Sequence, residues 1–160
     1  MDSLVTLYLE RAENKLLLSR INFDISCSAE YKQFLKVSIE KTFFNDVISD
    51  SYYAIFYAAK AFLLSKNIET KVPEEHKKTY EEFQRIVLSG ELDASLLYLY
   101  EAEITKAEAL LNIFFQEKKK RGIFTYNVQS EANIPYAQES LRNSKKFVAL
   151  IKAIILGEDR

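Results

Sequence analysis

The stretch from Asp46 to Ile68 constrains the fold more than any other part of the chain. Between Tyr52 and Leu64 it carries one charge, on Lys60, and is otherwise apolar, aromatic or alanine. A helix that is apolar nearly all round must be covered on several sides, and this one is shorter than the roughly 20 apolar residues that span a bilayer. The stretch therefore predicts the central helix of a helical bundle, and no membrane span.

The two main faces of this predicted helix differ in the size of their side chains. A row of small residues on one face would let a neighbouring helix approach closely. At helical spacing, the large apolar face consists of Ile48, Tyr52, Ile55, Ala59 and Phe62. The small face consists of Ala54, Ala58, Ala61 and Ser65. We therefore expect this helix to be packed on at least two sides.

Sparse glycine and proline indicate that the rest of the chain is helical as well. The 160 residues include three Gly and two Pro. So few helix-breaking residues in a chain rich in Leu, Ala, Glu and Lys favour helix nearly throughout. The length is that of one domain with one sizeable core. The sequence therefore predicts a single all-α domain over residues 1–160, an antiparallel helical bundle of five to six helices.

Charge and cysteine content suggest a compartment. The net charge of −1 favours neither a nucleic-acid partner nor a membrane surface. One cysteine, Cys27, rules out an internal disulfide and suits a reducing cytosol. The N-terminal residues lack a basic start, an apolar segment and a cleavage site, so no signal peptide is predicted and a cytoplasmic location is expected.

Capping signals locate the first two helices. Asp2 or Ser3 can cap a first helix that is expected to end near Arg20. After a polar break, Ser28 can cap a second helix over residues 29–43. One long bent helix that continues into the central stretch is the alternative to a second break.

Proline and glycine mark the ends of the later helices. Proline suits the first turn of a helix, and glycine suits the position after its last turn. The predicted starts are at Pro73, at Glu91 or Asp93, and at Pro135, and the predicted stops are at Gly90, Gly122 and Gly157, with residues 122–133 as the longest loop.

Residue types that commonly carry catalysis or bind metals are sparse. The single histidine, His76, lies among charged residues in the first turn of a predicted helix and is expected on the surface. Glu101, Glu103 and Glu108 lack the Glu-x-x-His companion of a metal site in a bundle core, so a solvated face is expected for them. The sequence has no Gly-rich phosphate loop and no nucleophile elbow. Neither a metal nor a cofactor is predicted.

A run of cations, Lys118 to Arg121, precedes Gly122 at the predicted end of the long helix. Cations are favourable at a helix C-terminus, which alone would explain the run, and a phosphate-binding patch is the functional alternative. Four adjacent cations point around the helix axis and cannot all meet one ligand, so Arg121, nearest the loop, is expected to turn inward. Tyr126 follows it by five residues. The guanidinium of Arg121 would bind phosphate through two donors, and Tyr126 would offer a hydroxyl and a ring on which a base can stack.

The order of these features resembles the HEPN superfamily. The features are the central helix with SDSYYAIFYAAKAFLLSKNI, a helix begun by proline, a long helix that ends KKKRGIFTYN, and a final amphipathic helix. The resemblance covers about Phe43 to Leu156, and its most specific part is the run from Tyr52 to Ala61. Residues 21–42 resemble an extra or elongated helical segment that is atypical of the family.

The resemblance implies a helical bundle that dimerises. Many members are metal-independent ribonucleases or toxins, often beside a small nucleotidyltransferase that serves as antitoxin. Their active motif is an arginine, four to six residues, and then a histidine. In this chain Arg121 matches the arginine, but the positions for the histidine hold Tyr126, Asn127 and Val128. This Arg-x4-Tyr form resembles a prokaryotic branch of the superfamily rather than its established nucleases.

The missing histidine has a chemical consequence. Cleavage of RNA through the 2′-hydroxyl needs a proton acceptor, and then a donor, that works near neutral pH. Histidine titrates at about 6.5 and tyrosine at about 10, so Tyr126 is a poor base. Arg121 can still hold a phosphate and stabilise developing charge. Binding without efficient cleavage is therefore favoured over nuclease activity.

The resemblance gives a set of candidate site residues. Arg121 and Tyr126 are the candidates for any catalysis, and the ligand-binding candidates are Arg121, Tyr126, Asn127, Lys120, Asp50 and Tyr52. Asp50 or Tyr52 would orient the arginine. The alternative is that Asp50 favours the helix N-terminus and that Tyr52 packs with its hydroxyl at the rim.

Three functions remain open. The favoured one is a homodimeric HEPN-type module that binds nucleotide or RNA phosphate near Arg121 and works with a nucleotidyltransferase partner. The second is a metal-independent ribonuclease toxin, and the third is a module that only docks a partner protein.

Overall fold

The computed structural model describes residues 2–111 and 130–157, without the side chains of residues 109, 111 and 130–133. Within these ranges the chain forms six helices and no strand: α1 Ser3–Cys27, α2 Ala29–Phe34, α3 Phe44–Ser65, α4 Glu75–Leu88, α5 Ala94–Leu111 and α6 Ser130–Leu156. The predicted all-α class is confirmed. None of the helices described is long and apolar enough to cross a membrane.

The predicted central helix is α3, which packs against α1, α4, α5 and α6. Its large face enters the main core, where Phe62 meets the ring of Phe83 edge-on at 6.1 Å between centroids. Phe83 in turn contacts Tyr100 and Phe147, with centroids 5.5 and 5.4 Å away. These aromatic contacts join α3, α4, α5 and α6 into one core.

The small face of α3 lies against α1. The hydroxyls of Ser19 on α1 and Ser51 on α3 are 2.8 Å apart, and Ser19 also donates to the carbonyl of Val47 at 2.8 Å. One turn from the other end of α3, Ala61 packs with Val5 and Leu9. This register makes α1 and α3 antiparallel, and small side chains at the interface allow the two backbones to approach closely.

Several predicted helix ends are confirmed. The carboxylate of Asp2 accepts from the amide of Leu4 at 2.9 Å, and the hydroxyl of Ser28 accepts from the amide of Tyr31 at 3.1 Å. Asp93 does the same for Ser95 at 2.8 Å. After α4, Gly90 adopts a φ of 90°, a left-handed conformation that glycine adopts at little cost.

The predicted break after Arg20 is wrong, because α1 continues to Cys27. Tertiary contacts hold this last part of the helix. Phe23 meets the ring of Phe44 edge-on at 5.9 Å, and the buried hydroxyl of Ser26 accepts from the amide of Phe43 at 2.7 Å. Neither contact can be inferred from local sequence pattern.

The second predicted helix is also too long, because α2 ends at Phe34. The chain turns at Lys36, whose φ of 61° is left-handed. The buried ammonium of Lys32 donates to the carbonyl of Ile39 at 2.8 Å and secures this turn. The separate start of α3 at Phe44 excludes one long bent helix.

The two prolines occupy different positions from those predicted. Helix α4 begins two residues after Pro73, and Pro135 lies inside α6 rather than at its start. Ile134, immediately before this proline, packs against the cluster of Phe44, Val47 and Ala137. Packing on α3 therefore holds helical conformation across a residue that lacks an amide donor. Gly122 and most of the predicted loop 122–133 lie outside the described residues.

Candidate functional site

Four predicted site residues, Lys120, Arg121, Tyr126 and Asn127, lie outside the described residues, and so does the rest of the cationic run. The predictions made for them stay predictions. The two remaining candidates, Asp50 and Tyr52, are both buried on α3.

Asp50 faces α1. Its two carboxylate oxygens accept from the ammonium of Lys15 and from the amide nitrogen of Asn22, each at 3.2 Å. Burial raises the pKa of Asp50, and the hydrogen bond and charge of Lys15 oppose this rise. Asp50 therefore links α1 to α3.

Tyr52 faces α4, on a different side of the helix from Asp50. Two positions along a helix correspond to about 200° of rotation, so the structure does not bring these two candidates together. The hydroxyl of Tyr52 forms a hydrogen bond of 2.7 Å with Nδ1 of His76. The side chain is fully buried, so its hydroxyl lies inside the fold.

His76 is not the surface histidine that the sequence predicted. Its half-buried imidazole stacks on the ring of Phe56, with centroids 4.0 Å apart and planes at 14°. The ring of Tyr53 meets it edge-on at 5.6 Å. The missed signal is the run of aromatic residues on α3, because three rings within five positions offer a platform to a ring from the next helix.

A partly buried ion pair fixes the start of α4 beside this cluster. The ammonium of Lys60, the one charge of the central stretch, donates to the carboxylate of Glu75 and to the carbonyl of Thr70, the latter at 2.8 Å. The hydroxyls of Thr70 and Thr79 are 2.6 Å apart. These contacts position the first turn of α4, and with it the imidazole of His76, against α3.

The surroundings of His76 determine its protonation. Burial lowers the pKa of His76, and the charge of Lys60 adds to this effect, whereas the charge of Glu75 opposes it. Burial also raises the pKa of Tyr52 well above its ordinary value. Near neutral pH the pair is therefore an uncharged imidazole hydrogen-bonded to an uncharged phenol. Among the residues described, no group of three or more His, Cys, Asp or Glu side chains could hold a metal ion.

Comparison with known proteins decides the family. The model of the HEPN domain matches residues 27–154. The chain belongs to the HEPN family. The match includes the central helix and begins before Phe43, so that it also takes in α2 and the turn that follows. The resemblance inferred from the order of the helices is confirmed.

A relative of this HEPN domain is known by a functional name. Over 58 residues the chain is 36% identical to a protein of Methanocaldococcus jannaschii named "Putative toxin". The aligned stretch covers 36% of this chain and 43% of the relative, so the chain spans less than half of the length of that relative.

The pKa of His76 can be measured directly in this HEPN domain, because the chain has a single histidine. We expect its imidazole proton resonance in NMR to titrate below the ordinary value of 6.5. The unfolded chain then binds this proton more tightly than the folded one. The contribution of His76 to the free energy of unfolding is therefore complete above pH 6.5 and decreases as the pH falls through the lowered pKa.

The matched variant is His76→Phe, which keeps a ring against Phe56 but cannot titrate. Denaturant unfolding of this variant between pH 7 and pH 5 should lack the decrease that the wild type shows. A histidine that titrates at or above 6.5 in the wild type would contradict the assigned environment.

Proposed function

We propose that this HEPN module acts as a homodimer that binds nucleotide or RNA phosphate at a cleft near Arg121, and that it pairs with a nucleotidyltransferase in a toxin–antitoxin-like system. Family membership and the toxin name of the relative support this proposal. The observation that carries it is that the stretch matched by the HEPN domain, residues 27–154, includes Arg121 and Tyr126.

The proposed ligand chemistry follows from residue types. The guanidinium of Arg121 can hold two phosphate oxygens at once, which an ammonium such as that of Lys120 cannot. Tyr126 offers a face for a base, and Asn127 offers a donor and an acceptor. Binding of RNA or nucleotide through these side chains needs no metal.

The test of this function measures the affinity of the purified protein for a short single-stranded RNA and for a nucleoside monophosphate. We expect Arg121→Ala to weaken binding of both about 10-fold or more, because a charge-assisted bidentate contact contributes more than a neutral hydrogen bond. The matched control is Arg85→Ala, since Arg85 is an exposed cation on α4 that pairs with Glu82 at 2.9 Å. Equal affinities for the wild type and Arg121→Ala would remove the proposed phosphate site.

The homodimer and its partner need separate measurements. Sedimentation equilibrium of the purified protein should give twice the chain mass, and a single-chain mass would contradict the dimer. The pairing predicts a nucleotidyltransferase gene beside this one. Co-expression of the two proteins should yield a stable complex on a sizing column, and their free elution would contradict the pairing.

A second function, metal-independent cleavage of RNA, is favoured by His76. The sequence motif lacks its histidine, but His76 is held by Tyr52 with a lowered pKa. In this reaction the 2′-oxygen attacks the adjacent phosphorus, the 5′-oxygen of the next nucleotide leaves, and a 2′,3′-cyclic phosphate forms. His76 would take the proton from the 2′-hydroxyl and return it to the departing 5′-oxygen.

A further inference from the structure

A row of tyrosines runs along the seam between α1 and α3. It consists of Tyr8 on α1 and Tyr57 and Tyr53 on α3, and we call it the tyrosine row. The ring centroids of Tyr8 and Tyr57 are 5.8 Å apart, and those of Tyr57 and Tyr53 are 6.0 Å apart. The ring of His76 is 5.6 Å beyond Tyr53. The row therefore ends at the candidate site.

All three tyrosines are half-buried, in contrast to the fully buried rings of the core. Each is packed in the fold and still exposes part of its surface to solvent. Tyrosine at such a position presents a rigid π-face and a hydroxyl, and immobilising it further costs little conformational entropy. The row thus presents three fixed aromatic rings in one line, and the ammonium of Lys60 on α3 lies 5.1 Å from the ring centroid of Tyr8.

Cations accompany the row on the α1 side. The guanidinium of Arg11 is 5.1 Å from the ring centroid of Tyr8 and 5.8 Å from that of Tyr57, and the ammonium of Lys15 is 5.4 Å from that of Tyr53. Arg11 is exposed and forms no ion pair with any residue in the described ranges. Arg11 and Lys15 lie one turn apart on the same face of α1.

Two carboxylates beside the row are paired with cations. Asp50 is paired with Lys15, and Glu75 with Lys60. Arg11, which forms no ion pair with a described residue, adds a positive charge over the rings of Tyr8 and Tyr57.

We propose that the tyrosine row, with Arg11, is a binding track for single-stranded RNA, whose bases stack on the tyrosines and whose backbone lies along α1. Aromatic faces interleaved with cations are the means by which proteins hold unpaired strands without reading their sequence. The bases of a duplex are already stacked on one another, so duplex RNA cannot use the row. This inference rests on the proposed RNA binding and adds to it the strand type and a second contact surface.

The experiment compares the affinities of the full chain for a 12-nucleotide oligoadenylate and for a duplex RNA of the same length. We expect the single strand to bind more tightly. Tyr57→Leu should weaken its binding about 5-fold to 100-fold, because it removes one stacking face, whereas Tyr57→Phe should retain it. Arg11→Gln should reduce the slope of log affinity against log salt by about 0.7, the value for one phosphate contact on a single strand.

The matched controls lie elsewhere on the surface. Tyr98→Leu removes an exposed tyrosine of α5, and Arg85→Gln removes an exposed arginine of α4. Both should bind the oligonucleotide like the wild type. Circular dichroism shows whether Tyr57→Leu keeps its fold, and Arg11→Gln, at an exposed position, tests the track independently if it does not.

The outcomes separate this inference from the function on which it rests. Wild-type affinity of Tyr57→Leu and Arg11→Gln, together with loss of binding in Arg121→Ala, would overturn the track and leave the phosphate site. Loss of binding in the row variants alone supports the track without Arg121. Equal affinity for single strand and duplex overturns the track. A change in solution mass of the row variants, with unchanged RNA affinity, would make this face a contact between copies and also overturn it.

Discussion

Replacing Lys106 by methionine is expected to lower the free energy of unfolding by about 3–5 kcal/mol. The ammonium of Lys106 is buried between α5 and α6, where it pairs with Glu103 at 3.0 Å and Glu139 at 2.8 Å. It also donates to the hydroxyl of Ser140 at 2.9 Å and to the carbonyl of Tyr136 at 3.2 Å. Methionine keeps much of the side-chain volume but removes all four contacts.

The large effect arises from the carboxylate that the substitution leaves behind. Glu103 is fully buried, and its Oε1 has no hydrogen-bond partner among the described residues. Without Lys106, the one partner left to its charge among the described residues would be the amide of Asn143, which donates to Oε2 at 2.9 Å. An uncompensated buried charge costs far more than the pair itself contributes.

Urea unfolding of three variants checks this prediction. Lys152→Met removes a cation whose pair with Glu13, at 2.7 Å, is nearly half exposed, and such pairs contribute about 1 kcal/mol or less. The double variant with Lys106→Met and Glu103→Gln should recover part of the loss, since the buried charge is gone. A Lys106→Met variant no less stable than Lys152→Met would show that Glu103 is compensated in another way.

For the ribonuclease candidate, replacing His76 by asparagine is expected to lower the rate of RNA cleavage by about 10²–10⁴-fold. Asparagine can keep a hydrogen bond to the hydroxyl of Tyr52, but it cannot carry a proton at neutral pH. Binding of RNA should persist, because phosphate is assigned to Arg121 and bases to the tyrosine row. Cleavage is measured with a chelator present, so that only metal-independent reaction is counted.

Tyr52→Phe tests how His76 is held in this reaction. It removes the hydroxyl that contacts Nδ1 and leaves the buried ring in place. We expect the pH profile of cleavage to shift together with the pKa of His76 measured by NMR, which a purely structural role would not require. Absence of metal-free cleavage by the wild-type protein would eliminate the ribonuclease candidate and leave the binding function.

The parts of the fold that depend on local pattern were predictable. The central helix follows from an apolar stretch that needs cover on several sides, and α3 has that cover. The caps at Asp2 and Ser28 and the stop at Gly90 follow from the hydrogen bonds and backbone conformations that those residues favour. The end of α1 was not predictable, because contacts of Phe23 and Ser26 with a distant segment extend it.

The environments of polar residues were predicted less well. His76 and Glu103 were both expected in solvent, yet one stacks on Phe56 and the other is fully buried. From sequence, a polar side chain on a helix is predicted to lie in solvent unless its partner is known. The partners are Tyr52 for His76 and Lys106 for Glu103. Lys106 is only three positions away, but the residues of α6 that complete its site are some 30 positions distant.

By itself, the sequence determined that this chain is an all-helical HEPN module built around one apolar helix. Hydrophobic periodicity, helix caps and helix-breaking residues determine helices through interactions among a few neighbouring residues. Only the tertiary structure decided which polar groups are buried and what each one meets. It brought the histidine of α4 to the aromatic residues of α3 and aligned the tyrosines of α1 and α3 in one row. Such contacts depend on which faces of separate helices pack together, and the packing of the whole core determines those faces.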